Sequence, residues 1–379
     1  MGRLVAMLIT ILWLSVAHAG IESWSDQTIC RLIEEQPDTA EYLAEAVARG
    51  LPCGSGKESL EPRQGVKRQV EGGLTVLAAT DVSDGAIKIT RKWLKVAEKN
   101  WFQAYPSGSE RRYPIILTIV GNNEKAAVEL EDALCELIQT DYQATLKHSR
   151  CRADYKPSNC RVGRCYIAQY AIEGGASISS SRMNDGFFLM IMSGKNPPPS
   201  HPDWKTVVLH ESFHIYQLSQ ISTKNRDLHE RKVGRRTGDH DRDVPWWSEG
   251  TAEYMGLLLY SRQPNVSSRF LKNKMGDLLG YHGQGSAPVI KEYFSTGTKL
   301  YNIDYGEHRR FGYTVGPWFV AFLVNQVGES QIHEFYADVD GMDFEKGFIK
   351  HFGKPYRDYV DEFEVFLDQP IRKLLKIIP

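Results

Sequence analysis

The stretch Val207-Val208-Leu209-His210-Glu211-Ser212-Phe213-His214-Ile215-Tyr216 constrains this chain more than any other feature. The breaker Pro197-Pro198-Pro199 precedes it, and the pattern predicts a helix over 201–220. Residues four apart on an α-helix differ by about 40° in azimuth and about 6 Å in rise, so the imidazoles of His210 and His214 can converge on one ion. Glu211, turned about 100° from His210, can bring its carboxylate to a water held by that ion without itself being a ligand. Zinc acidifies such a water and polarises a carbonyl, and Glu211 would take the proton and pass it on. The plainer alternative is a pair of helix histidines on a partly buried face.

A third ligand is available downstream. Pro245-Trp246-Trp247-Ser248-Glu249-Gly250-Thr251-Ala252-Glu253-Tyr254 begins with a proline suited to a helix's first turn, and a helix is predicted over 245–260. Glu249 and Glu253 are four apart, with both carboxylates on one side. Such a pair either belongs to a site or forms a solvated acidic face.

H-E-x-x-H followed by W-x-x-E-G-x-A-E, with Trp246 as the first tryptophan, resembles the gluzincins, zinc metallopeptidases with two histidines and one glutamate on the metal, in their aminopeptidase-like branch. The resemblance runs over about 186–367. It implies a zincin-like catalytic domain with one Zn2+ per chain on His210, His214 and Glu249, Glu211 as the catalytic base, and Glu253 orienting a ligand histidine. Phe311-Gly312-Tyr313-Thr314-Val315-Gly316-Pro317 is similar to the family's Y-x-x-G segment, whose tyrosine hydroxyl hydrogen-bonds the oxyanion. That makes Tyr313 the second candidate catalytic residue, with Tyr305 and His308 as fallback donors; the alternative for Tyr313 is a core aromatic.

The implied activity is secreted, zinc-dependent hydrolysis of a peptide or protein substrate, laid as an added strand along a sheet edge expected near 186–192. A non-catalytic zincin-fold binding module, or a zinc hydrolase acting on a non-peptide amide, would share these motifs. Two departures from the family stand out. His214 and Glu249 are 35 positions apart, longer than the branch's usual gap. The excess is the charged stretch 222–243, with Arg231-Lys232, Arg235-Arg236 and Asp239-His240-Asp241; it reads as a solvated mobile loop, or as a selector of acidic substrates. The family's G-x-M-E-N motif is missing, Ser181-Arg182-Met183-Asn184-Asp185 lying near its place, so specificity for a free N-terminus is unsupported.

Residues 1–19 read as an address: Arg3, the apolar run 4–16 and Ala17-His18-Ala19 make a signal peptide, because the run is shorter than the ~18–20 residues of a spanning helix. The product is expected to be secreted or periplasmic, with no stable membrane anchor. Export favours disulfides among Cys30, Cys53, Cys135, Cys151, Cys160 and Cys165, the alternative being a zinc site from His148 and the last three. With 46 Lys+Arg against 47 Asp+Glu the net charge is −1, so no basic field exists to hold nucleic acid.

The fold class expected is α+β. Strands are predicted over 74–79, 113–120, 176–182 and 186–192, with helices over 84–101 and from Asn122 or Asn123 to 139. These make a small mixed sheet with helices packed on it. The expected division is a 1–19 signal, a 20–72 N-terminal helical segment and linker, a 73–262 zincin catalytic domain and a 263–379 helical lobe. The stretch 54–69 is either linker or the end of a propeptide. Asn265-Val266-Ser267 is a sequon if the host glycosylates exported chains.

Overall fold

The apolar runs Ile115–Val120 (β3) and Phe188–Ser193 (β5) become the two central strands of one sheet, buried at every position. The structure is a computed structural model that describes residues 65–102, 113–144, 166–179, 185–223, 225–237, 243–283 and 287–379. The chain divides into two compact units, Met1–Gln64 with Pro197–Trp204, and Gly65–Asn196 with Lys205–Pro379. Of the first, only Pro197–Trp204 is described; there His201 N donates to Pro198 O (2.8 Å) and Trp204 N to His201 O (3.1 Å). The signal stretch 1–19, His148 and every cysteine except Cys135 lie outside the described residues. Cys135 is disulfide-bonded.

The remaining strands are β1 (Lys67–Glu71), β2 (Leu74–Ala78) and β4 (Ala176–Ser179), and the order across the sheet is β1-β2-β3-β5-β4. Strands β2, β3 and β5 run parallel, while β1 and β4 are antiparallel to their neighbours. Parallel strands covered on both faces need continuous apolar runs, which is why β3 and β5 were readable. Strand β1 was not: residues 67–71 fall in the expected segment 20–72 but pair with β2 across the two-residue turn Gly72-Gly73, both at positive φ. Its sequence, KRQVE, is polar because it is an exposed edge.

The expected open edge near 186–192 is also corrected. Strand β5 is interior, bonded on both sides, and the edge belongs to β4. Helix α1 (Asp84–Ala97), capped by Ser83 and continued by a π-turn Glu98–Phe102, and α2 (Glu124–Asp141), capped by Asn123, follow β2 and β3. Each cap side chain accepts from the backbone N–H three residues on (3.1 Å). The buried Glu131 of α2 accepts from the backbone N–H of Tyr166, Ile167 and Ala168, anchoring the segment that leads through α3 (Tyr170–Glu173) to β4.

The rest is helical: α4 (Pro202–Ser219), α5 (Arg226–Lys232), α6 (Ser248–Ser261), α7 (Phe270–Leu278), α8 (Pro288–Ser295), α9 (Arg310–Thr314), α10 (Gly316–Val327), α11 (Ser330–Asp338), α12 (Phe344–Phe352), α13 (Tyr356–Leu367) and α14 (Ile371–Leu374). Helix α6 starts at Ser248, with Pro245-Trp246-Trp247 as the turn into it and Pro245 O accepting from Glu249 N (3.0 Å). Trp246 packs on Phe319, Phe344 and Tyr356, and Trp247 on Phe335 and Phe348, with ring centroids 5.3–6.1 Å apart. These aromatic anchors fix the start of α6 in the core. Helix α10 crosses it so closely that a Cβ at Gly250 would stand 2.7 Å from the Gly316 carbonyl carbon. Among the described residues no helix is long and apolar enough to cross a membrane.

Candidate metal centre

Helices α4 and α6 bring His210, His214 and Glu249 together, with one ligand atom from each lying within 4.8 Å of the others. His210 Nε2 is 3.1 Å from His214 Nε2, and Glu249 Oε2 is 3.3 Å from the first and 2.9 Å from the second. The opposite ring nitrogens decide what these atoms can do. His210 Nδ1 faces Glu253 Oε2 and His214 Nδ1 faces Gln217 Oε1, both at 2.8 Å. The Gln217 amide is oriented by its own donation to Ser248 O (2.9 Å), so its oxygen is the atom turned to His214.

Both partners are acceptors, so in the neutral imidazoles Nδ1 carries the proton and Nε2 presents a lone pair. Two lone pairs and a carboxylate oxygen therefore converge with no donor between them. That arrangement is repulsive unless a cation, or an added proton, sits inside it. Ligand atoms around a tetrahedral ion with bonds near 2.0–2.1 Å stand about 3.3 Å apart, close to the spacing here, so the three side chains fit a metal ion after a small outward adjustment.

The electrostatics point the same way. Burial works against a charged His210, but the carboxylates of Glu249 and Glu253 outweigh it and hold the imidazole well above the usual histidine range. Burial likewise opposes charge on Glu249, yet His214, His210 and Arg235 keep its carboxyl well below the ordinary value. The pocket thus holds a firm anion and calls for positive charge beside it. Glu211, 6% exposed, is pushed up: burial leads, the two histidines oppose it, and Glu249 and Glu253 add to it. A carboxylate moved towards neutrality is suited to accepting and returning a proton.

A cavity of about 180 Å³ opens beside the cluster, lined by Glu211, Tyr313, Arg235 and the edge strand residues Ala176, Ser177 and Ile178. Strand β4 bonds to β5 through Ser177 and Ser179, the ladder continuing the Ser193 N to Gly175 O bond. By the alternation of antiparallel ladders, Ala176 and Ile178 direct their backbone N–H and C=O outward.

Of the predicted site residues, the structure brings His210, Glu211, His214, Glu249, Glu253 and Tyr313 to one place. The fallback donors separate. Tyr305 donates its hydroxyl to Glu249 Oε1 (2.8 Å), whereas His308 packs on Phe311. Burial, and then Glu249, push the Tyr313 phenol up, so it stays a protonated donor.

The expectation of a solvated loop at 222–243 is overturned for 225–237, which holds helix α5 and buried residues; 224 and 238–242 lie outside the described residues. Asn225 caps α5, and His229 and Glu230 are buried, Glu230 against the Arg235 guanidinium (3.4 Å) and His229 as a ring whose charge burial opposes. Arg235 reaches the cluster, its Nη2 donating to Tyr305 Oη (3.0 Å) and lying 3.7 Å from Glu249 Oε1. Burial opposes its charge, but Tyr305, Glu230 and Glu249 hold the guanidinium firmly protonated. Sequence reasoning named Arg235 only within the basic stretch offered as a selector of acidic substrates, not as a partner of Glu249, and it missed Gln217. Gln217 was findable, since it lies three residues from His214 on the same helix face. Nothing local marks Arg235. Compared with known proteins, the chain matches no family model and no curated protein.

Proposed function

We propose that this chain is a zinc-dependent metallopeptidase of the gluzincin type, with a zincin-like catalytic domain and an extracytoplasmic site of action. One observation carries the reading: each imidazole meets an acceptor at Nδ1, and the two Nε2 atoms and one carboxylate oxygen face a common point, with Glu211 beside them. Two nitrogens and one oxygen are a zinc-type donor set, and three protein ligands leave a position for water or substrate. The signal-like stretch 1–19 supports export.

Zinc held by His210, His214 and Glu249 would supply Lewis acidity, acidifying water and polarising the scissile carbonyl. Glu211 takes the proton from the attacking water and delivers it to the leaving amine nitrogen as the C–N bond breaks. Tyr313 donates its hydroxyl to the substrate's developing oxyanion. The outward N–H and C=O groups of Ala176 and Ile178 bind the peptide backbone as an added strand. Glu253 and Gln217 keep the two imidazoles in the ligating tautomer.

Glu211→Gln preserves shape and removes the base. We expect the variant to retain about one zinc per chain while peptide-library hydrolysis drops by about 10²–10⁴. Undiminished turnover sinks the mechanism. Failure of the parent chain to take up zinc, measured by elemental mass spectrometry at neutral pH, sinks the site.

A further inference from the structure

We infer that Arg235 and Tyr305 form a positioning relay for Glu249, delivered by the long segment that separates the two ligand-bearing helices. The inference rests on reading the cluster as a metal centre. Glu249 has two carboxylate oxygens with different partners. Oε2 faces the imidazoles, at 2.9 Å and 3.3 Å. Oε1 accepts from the Tyr305 hydroxyl (2.8 Å), and the Tyr305 oxygen in turn accepts from Arg235 Nη2 (3.0 Å). One oxygen is held by the protein, so Glu249 offers the cluster a single donor atom. A carboxylate free to rotate could offer both and occupy the position a substrate needs.

The far end of the relay is itself pinned. The Arg235 guanidinium lies 5.5 Å from the Tyr305 ring centroid, and its Nε is 3.4 Å from Glu230, a carboxylate that is 1% exposed. The backbone that carries it leaves α5 through Gly234, at φ +76°, where a Cβ would stand 2.5 Å from ring atoms of both Phe344 and Trp247. On one side of this turn Lys232 Nζ donates to the carbonyls of Val339, Asp340 and Met342. On the other, Arg236 pairs with Asp243 (2.8 Å) and Asp227 (3.0 Å). Trp247, which packs against the turn, precedes Glu249 by two residues. The segment and the ligand are therefore set against the same ring, and the extra length between His214 and Glu249 becomes part of the site.

The test is zinc affinity, read by chelator competition on the full chain for the parent, Tyr305→Phe, Arg235→Gln and the double variant, with thermal unfolding of the metal-free chains alongside. Each single change is expected to weaken zinc binding roughly 10- to 100-fold. Because both side chains bear on the same oxygen, Glu249 Oε1, through linked contacts (Arg235 Nη2 is 3.0 Å from Tyr305 Oη and 3.7 Å from Glu249 Oε1), the double variant should lose clearly less than the product of the two single effects. If Tyr305→Phe does not fold, Arg235→Lys gives the same readout, since it keeps the charge but loses the planar fork and is expected to weaken zinc in the same direction. A parent that binds one zinc while the variants bind it equally tightly overturns the relay alone, as do losses that multiply in the double variant. A parent that binds no zinc overturns the metal reading and the relay with it.

Discussion

Among the described residues, the buried histidines fall into two groups with opposite electrostatics. At the α4–α6 contact, His210 is 9% exposed and surrounded by carboxylates, which hold its imidazole up in spite of burial. On α5 and α11, His229 and His333 are 3% and 2% exposed and are pushed down, to about 4 and about 3. Burial leads in both, helped by Arg235 at His229 and by Arg262 at His333. The side chain and the degree of burial are alike, so the neighbours decide. An imidazole buried among aromatic rings, as His333 is between Phe213 and Tyr216, is a neutral packing group. Backed by Glu253 and facing Glu249, it belongs to a site that demands positive charge.

The hardest test of this contrast is removal of one histidine from each region. His214→Ala is expected to abolish stable zinc uptake and with it zinc-dependent hydrolysis, whereas His333→Phe should leave zinc content at the parent level. Equal losses in elemental analysis would break the comparison.

Acid separates the two regions next. His229 and His333 have folded pKa values below the unfolded value near 6.5, so as pH falls the unfolded chain takes up protons first. The stability carried by the neutral rings is complete above about pH 6.5. It is lost progressively as pH drops towards about 4 for His229 and about 3 for His333. At 1.36 kcal/mol per pKa unit, the His229 window alone amounts to roughly 3 kcal/mol. Denaturant unfolding of the metal-free chain between pH 7 and pH 4 should show this decline, and His333→Phe should flatten it. Since the raised Glu211 and His210 act in the opposite direction, the variant decides: a profile for His333→Phe identical to the parent's would contradict the neutral, buried state of His333.

A smaller effect sharpens the same comparison. Glu253→Gln takes away the charge behind His210 and leaves a hydrogen-bonding group of the same size, as Gln217 already provides behind His214. Zinc affinity is expected to fall roughly 10- to 100-fold with little change in metal-free stability. Unchanged affinity would mean that a neutral partner orients the imidazole as well as a charged one.

Legibility in the sequence followed the range of the interaction. The i, i+4 pairing of His210 with His214 and of Glu249 with Glu253 is a property of one helical turn, and so is the Asn123 cap on α2. Gly72-Gly73 is a hairpin signal of the same kind, but β1 beyond it carries charges instead of apolar alternation, which hid the strand. The sheet edge was misplaced because β5 finds its partners in β3 and β4, and nothing within 186–192 says how many neighbours it will have. Arg235 lies in a run of charges that resembles any solvated segment until Trp247 and Phe344 close on Gly234.

By itself the sequence determined the local constellation: two imidazoles one turn apart, a carboxylate next to the first, and a second helix with two carboxylates on one face. The α+β class also followed from it, through the apolar runs of the central strands. Only the tertiary structure decided which edge strand lies by the cavity, which oxygen of Glu249 meets the imidazoles, and that Tyr305 and Arg235 hold the other. Periodicity encodes contacts within a few residues because a turn of helix or a strand fixes them. Contacts between residues as distant as Arg235 and Tyr305 depend on how whole elements bury their faces against one another, and no short stretch of chain contains that information.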